Sequence, residues 1–322
     1  MIRSIQNKIE EWTNKNIKAV WIQGTGGKAF CAGGDIRSLY DAKIQGDIQI
    51  QKILVDFFKE EFTLDYSLAV MKPTQISVMD GIVMGGGVGI SVHSPIKIAT
   101  ENSVFAMPEA KIGFFTDVGG GFFLSKLRNN IGLYLGLSGA RLKGKELVSC
   151  GIANFFVQSK DLENLEKEVS ENLNDNTSTE DIKQIVKKYS LDVEKIIQNE
   201  FEIKTLFQGN TLQNIINNIK QSDSEFAKQT LKNLQQQNAI SLRIIFEQIS
   251  RGAKMSLKEN LIQDFALSQS FLKGNDFFEG IRTVLIDRND QPKWTYQSPF
   301  DVPQSLIDDY FQPLPPQLQL QL

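Results

Sequence analysis

Short apolar runs separated by helical stretches and glycine turns fill residues 18–157, and they limit the folds open to this chain more than any other feature. KAVWIQ (18–23), TQISVM (74–79), PIKIAT (95–100), SVFAM (103–107) and NFFV (154–157) each have the length and content of a buried strand. Between them, QKILVDFFKEEFTLDYSLAV (51–70) and VGISVHS (88–94) read as helices. Strands joined through helices predict a parallel α/β core with crossovers. Ahead of them Ile2, Ile5, Ile9 and Trp12 recur at helical spacing, so the chain is expected to open in an amphipathic helix.

After residue 160 glycine becomes rare, while Gln, Asn, Lys and Glu become common. SEFAKQTLKNLQQQ (224–237) and AISLRIIFEQIS (239–250) carry apolar residues at intervals of three and four. The reading is an α/β core over 1–157, a helical C-terminal region over 158–300, and a flexible tail over 301–322, where QPLPPQLQLQL shows neither period. At 322 residues the chain is long enough for one large domain or a domain with an appendage. A net charge of −3 gives no footprint for nucleic acid, and no run of about 18 apolar residues suggests a membrane span. Two cysteines, Cys31 and Cys150, and one histidine, His93, argue against a disulfide framework and a His/Cys zinc site. His93, followed by Ser94 and Pro95 at a helix end, reads as structural. Composition sets no oligomeric state.

Two glycine loops, CAGGD (31–35) and MGGGVG (84–89), each follow a strand and precede a helix. Glycine there lets a ligand come close to the backbone and leaves N–H groups unshielded, while helix starts favour a developing anion. Two such amides could form an oxyanion hole; taken singly, each loop could be only a tight turn. Neither matches a phosphate loop. The segment FAMPEAKIGFFTDVGGG (105–121) then sets Glu109 and Asp117 among Phe105, Met107, Phe114, Phe115 and Val118. Acids in such surroundings are paired, shifted in pKa, or used. The ordinary alternatives are a salt-bridged or capping Glu109, a helix-capping Asp117, and a solvated Glu61 in KEEF.

Together GGKAFCAGGDIR, MGGGVGISVH, FAMPEAKIGFFTDVGGG and DFFEGIRTVLIDRNDQPKW resemble the crotonase (enoyl-CoA hydratase/isomerase) superfamily, and within it the branch that hydrolyses 3-hydroxyisobutyryl-CoA. The resemblance runs from residue 1 to about 296 and implies a spiral of ββα turns with a C-terminal helical region. It implies oxyanion-hole amides at Gly34 and Gly86, a reacting carboxylate at Glu109, the branch's aspartate at Asp117, and substrate-binding roles for Glu61, Gly86, Glu109 and Asp117. The position of the hydratases' second catalytic glutamate is Gly89. The family's opening β-hairpin has no counterpart here, which bears on the first turn and on some coenzyme A contacts.

The resemblance implies a mitochondrial thioester hydrolase in valine catabolism with an acyl-CoA substrate, no metal and no prosthetic group. Coenzyme A enters as part of the substrate. Lys72, Lys97, Lys126, Arg128, Arg141 and Lys143 are candidates for its phosphates, each also readable as surface charge. Cys31 has no evident base partner and receives no nucleophilic role. Two rivals stand beside this reading: a non-catalytic relative such as a mitochondrial ribosome component, and an enoyl-CoA hydratase or isomerase, which Gly89 disfavours.

Overall fold

The computed structural model describes every residue except Asp47, Lys195 and Ile196. Among these residues two four-stranded sheets form, and up to residue 106 the chain alternates between them. One sheet holds β1 (Ala19–Gln23), β3 (Thr74–Met79), β5 (Ile96–Ala99) and β8 (Phe155–Phe156), all parallel. The other holds β2 (Ala29–Cys31), β4 (Ile82–Met84), β6 (Val104–Ala106) and β7 (Leu142–Lys143), with β7 antiparallel to β6. β2, β4 and β7 lie outside the runs read as strands from the sequence. Strands of two or three residues are too short to show a period, and pairings such as Ile82 with Val104 decide them instead.

All six residues of β3 are buried, so its sheet needs cover on both faces. Ile76 and Val78, with Ile96 and Ile98 of β5, pack against Leu165 and Val169 of the helix Leu162–Glu171 and Ile182 and Val186 of the helix Thr179–Tyr189. The alternate residue Gln75 donates from Nε2 to the Ile90 carbonyl at 2.6 Å, in the helix Gly86–Val92. Two helices assigned by sequence to a C-terminal region therefore belong to the sheet. Contacts divide the chain into two interleaved compact units, Met1–Gly33, Leu64–Ala106 and Arg141–Gln198 in the first, and Gly34–Thr63, Met107–Ala140 and Asn199–Leu322 in the second. A boundary at residue 157 falls inside the first unit, because β8 must find its cover in the helices C-terminal to it.

The second unit is built on an aromatic cluster. Phe114 lies 5.2 Å from Phe58, 4.6 Å from Phe115, 5.2 Å from Phe271 and 4.5 Å from Phe277, centroid to centroid. These rings join the helix Ile48–Val70, the 107–121 segment, the helix Leu257–Lys273 and the helix Asp276–Ile281. The Leu257 helix starts with a reciprocal cap in which Ser256 and Glu259 satisfy each other's backbone N–H. Residues 301–322, expected to be flexible, form the helix Gln304–Tyr310 and bury Val302, Ile307, Tyr310 and Leu320. Tyr310 meets Phe271 edge-on at 4.8 Å. The prolines that hid a pattern also lower the entropy lost on ordering, so a few buried side chains suffice to dock the segment.

No helix among the described residues is long and apolar enough to cross a membrane. One close backbone approach bears directly on the placement of Glu109. A Cβ on Gly280 would come within 2.6 Å of the Ile112 Cα, in the 3₁₀ turn Glu109–Ile112. Gly280→Ala should therefore push the helix Asp276–Ile281 off the turn that carries Glu109, destabilising the protein by about 1–3 kcal/mol. Thermal unfolding checks this, and an unchanged melting temperature would show that the backbones can separate freely.

Candidate active site

Among the described residues five acids are buried in the second unit: Glu61, Glu109, Asp117, Asp264 and Asp276, the last held by the Asn238 side chain and by Thr295. Glu61 lies on the helix Ile48–Val70 between Phe58 and Phe62, so the solvated face expected of KEEF is turned inward. Glu109 opens the 3₁₀ turn after Pro108, and the Phe114 N–H donates to its carbonyl at 3.0 Å. Asp117 follows Phe114 and Phe115, whose rings are fixed in the aromatic cluster. The residues that make this segment look like core are the ones that hold its acids in place.

Burial pushes the Glu61 carboxyl well above the ordinary carboxylate range, and the charge of Asp117 adds to the effect. Glu109 is raised well above that range for the same first cause, then by Asp117 and Glu61, against a lowering hydrogen bond from its own backbone N–H. Asp117 is pushed up to about 7 by burial, again opposed by its own N–H. The charge of Asp117 thus acts on both Glu61 and Glu109, so the three sequence-predicted acids lie within electrostatic reach of one another. Glu109 Oε2 is buried and accepts no hydrogen bond from the described residues. Leaving such an atom unpartnered costs about 1–3 kcal/mol, which suits an atom kept for a reacting group.

Asp117 does not cap the helix Gly120–Leu124. Gly119 stands at the N-cap, and its N–H donates 2.8 Å to Asp264 Oδ2. Asp264 escaped sequence reading, although a signal was present: it interrupts the buried stripe Leu261, Phe265, Ser268, Leu272 of its helix. Burial raises the Asp264 carboxyl well above its usual range; the Gly119 N–H and Gln248 oppose this and the charge of Asp117 adds to it.

The glycine loops meet within the first unit, where a Cβ on Gly33 would lie 3.9 Å from the Gly86 N and 3.5 Å from the Met84 carbonyl oxygen. Gly33 also has φ +111, open to glycine and strained for other residues. Gly86 begins the helix Gly86–Val92 directly after β4, and Gly34 follows Gly33 as the first residue of the second unit. At Gly89 a Cβ would come within 2.6 Å of the Cγ of the fully buried Asp65, so any larger residue there requires Asp65 to move. The carboxyl of Asp65 thus takes the space a second catalytic glutamate would need. Sequence reading did not single out Asp65.

Several other candidates are already engaged. His93 is the C-cap of the helix Gly86–Val92, and Cys31 ends β2. Arg128 makes a forked pair with Glu200, with both contacts at 2.8 Å. Lys126 sits over the Phe122 ring at 3.0 Å, and Lys72 donates to the Asn16 side chain at 3.5 Å. Burial, then the neighbouring Lys183, lowers Lys97 to about 8. Arg141 and Lys143 are exposed.

A family model for enoyl-CoA hydratase/isomerase matches residues 1–311. The mitochondrial 3-hydroxyisobutyryl-CoA hydrolase of Xenopus laevis is 42% identical over 319 residues, spanning 97% of this chain and 81% of that one. That of Dictyostelium discoideum is 42% identical over 317 residues, spanning 95% and 82%. Among solved structures, an enoyl-CoA hydratase from Rhodobacter sphaeroides superposes with a TM-score of 0.88 at 28% identity, covering 100% of this chain and 92% of that one. A carnitinyl-CoA dehydratase from Mycobacterium thermoresistibile gives 0.87 at 27%, covering 99% and 90%. The fold is thus the crotonase spiral that the motifs suggested. Matched over nearly its whole length, the chain belongs to the enoyl-CoA hydratase/isomerase family, where it groups with the 3-hydroxyisobutyryl-CoA hydrolases.

Proposed function

We propose that this chain hydrolyses the thioester of 3-hydroxyisobutyryl-CoA to 3-hydroxyisobutyrate and coenzyme A, in mitochondria and as a step of valine breakdown. The acid cluster carries the reading, above all the buried and unpartnered Oε2 of Glu109. In the reaction a C–O bond forms at the carbonyl carbon, the C–S bond breaks, and the departing sulfur takes a proton. Negative charge builds on the carbonyl oxygen, and the amides of Gly34 and Gly86 are assigned to receive it. Removing one such donor typically costs about 3–4 kcal/mol of barrier lowering. Glu109 either attacks the carbonyl to give a mixed anhydride, which water then opens, or takes the proton of the attacking water. Asp117 binds the 3-hydroxyl or positions that water, and Glu61 completes the polar wall around the acyl group. No metal or prosthetic group is required by either route.

Hydration of a double bond needs a second acid at the position of Gly89, which carries no side chain and faces the Asp65 carboxyl. The deciding assay is release of free thiol from 3-hydroxyisobutyryl-CoA, run beside hydration of crotonyl-CoA. Thiol release should dominate, and efficient hydration without it would overturn the proposal.

Glu109→Gln preserves shape and removes the carboxylate. Turnover should fall by about a hundredfold or more while the melting curve stays close to wild type. Near-normal turnover in this variant would take Glu109 out of the chemistry.

The raised acids give activity and stability opposite responses to pH. Ionised carboxylate is the working form in both routes, so kcat/KM should climb with pH through about 7, the range of Asp117, well above that of ordinary carboxyls. Stability runs the other way. Acids whose pKa is raised by folding favour the protonated native state; their contribution is complete below the unfolded-chain value of about 4 and is lost as pH rises through about 7. Melting temperatures across pH 4 to 8, roughly the span between those values, should therefore fall more steeply for wild type than for Asp117→Asn. Parallel curves for the two proteins would contradict this account of the cluster.

A further inference from the structure

Val118 is a buried β-branched residue with φ +51, in the left-handed region that such side chains avoid. A residue held there costs about 1–3 kcal/mol and persists only where its surroundings impose it. Within the arch itself the Asp117 N–H donates to the Phe115 carbonyl at 2.9 Å, and the Gly120 N–H to the Asp117 carbonyl at 2.8 Å. Outside the arch, two polar side chains grip the residues on either side of Asp117 and Val118.

Gln248, fully buried on the helix Ala239–Gly252, holds the near side. Its Oε1 accepts from the Thr116 hydroxyl at 2.8 Å, and its Nε2 donates to the Thr116 carbonyl at 2.8 Å and to Asp264 Oδ1 at 2.9 Å. Asp264, fully buried on the helix Leu257–Lys273, holds the far side by accepting the Gly119 N–H at 2.8 Å. The donor and acceptor inventory fixes both groups: a reversed Gln248 amide would put oxygen against the Thr116 carbonyl and the Asp264 carboxylate. An apolar residue at 264 would escape the cost of a buried acid close to Asp117, but could not take two N–H groups. The exit is closed as well, since a Cβ on Gly121 would lie 2.5 Å from Asn260 Oδ1 and 3.0 Å from the Gln248 carbonyl oxygen.

We propose that Asp264 and Gln248 are positioning residues of the hydrolase, a two-sided clamp that keeps Val118 left-handed and thereby holds Asp117 beside Glu109 and Glu61. The proposal rests on the reading that Asp117 works in hydrolysis. In that role the clamp acts on the placement of one carboxylate, and its loss should appear in turnover more than in substrate binding.

Asp264→Asn tests it with little change of shape, because either orientation of the new amide sets an N–H against the N–H of Gly119 or of Gln248. Gln248→Met frees Thr116 and serves as the second variant should the first fail to fold. Each should lower kcat by about ten- to a hundredfold, as for a group misplaced by about 1 Å, with KM changed less than about threefold. V118G provides the rescue, since glycine adopts φ +51 without strain. In that background the loss from D264N or Q248M should shrink to less than about threefold, a coupling that simple loss of stability would not produce. Wild-type kcat in folded D264N and Q248M, beside an inactive D117N, would overturn the clamp; so would equal losses with and without V118G. Wild-type kcat in D117N would instead remove Asp117 from the reaction, and the clamp's purpose with it.

Discussion

Phe114 lies within 4.5 to 5.2 Å of four other rings, and the second unit is organised around that packing. Each aromatic ring buries a large apolar area, and ring pairs in tilted or offset contact add about 0.5–1.5 kcal/mol beyond it. The consequence is geometric as much as energetic. Phe58 comes from the helix that bears Glu61, Phe114 and Phe115 from the segment between Glu109 and Asp117, and Phe271 from the helix that bears Asp264. A ring cannot leave this cluster without moving an acid.

The same packing excludes water from the acids, and burial is the first cause of every upward shift among them. Buried carboxyls that feel the charge of Asp117 lower stability, and their burial is tolerable because protons, backbone N–H groups and Gln248 offset the charge. Stability and chemical readiness therefore compete in the same residues. A carboxylate that is hard to form in an apolar site is also a stronger base once formed.

The crotonase framework does not choose the reaction, since enzymes named as hydratase and dehydratase superpose on this chain at TM-scores of 0.88 and 0.87. Local space discriminates instead. The helix Gly86–Val92 presents Gly89 to the buried carboxyl of Asp65, which would have to move for a side chain there. Meanwhile the 107–121 segment brings a second acid, Asp117, to Glu109 from its own strand of chain. The proposed hydrolysis draws both of these carboxyls from that one segment.

Local pattern was enough to read β3 at 74–79, the long helix ending at Val70, the glycine loops and the acids Glu109 and Asp117, whereas Glu61 came from the family resemblance alone. Those features declare themselves within one window of sequence: an apolar run, a 3.6-residue period, or a charge where the pattern calls for none. The second sheet was hidden because three residues such as Ala29–Cys31 have no period and become a strand only beside β4. The ordered 301–322 segment was hidden because prolines erase periodicity while leaving side chains able to dock. The clamp on Asp117 was beyond reach for a different reason. Gln248 and Asp264 lie 132 and 145 residues from their partners Thr116 and Gly119, and a hydrogen bond of 2.8 Å between such distant positions leaves no trace in local spacing. Sequence alone determined which acids are present and that Glu109 and Asp117 sit in an apolar segment; only tertiary packing decided which other acids are buried with them and what holds them in place, because electrostatic effects and strain depend on distances through space.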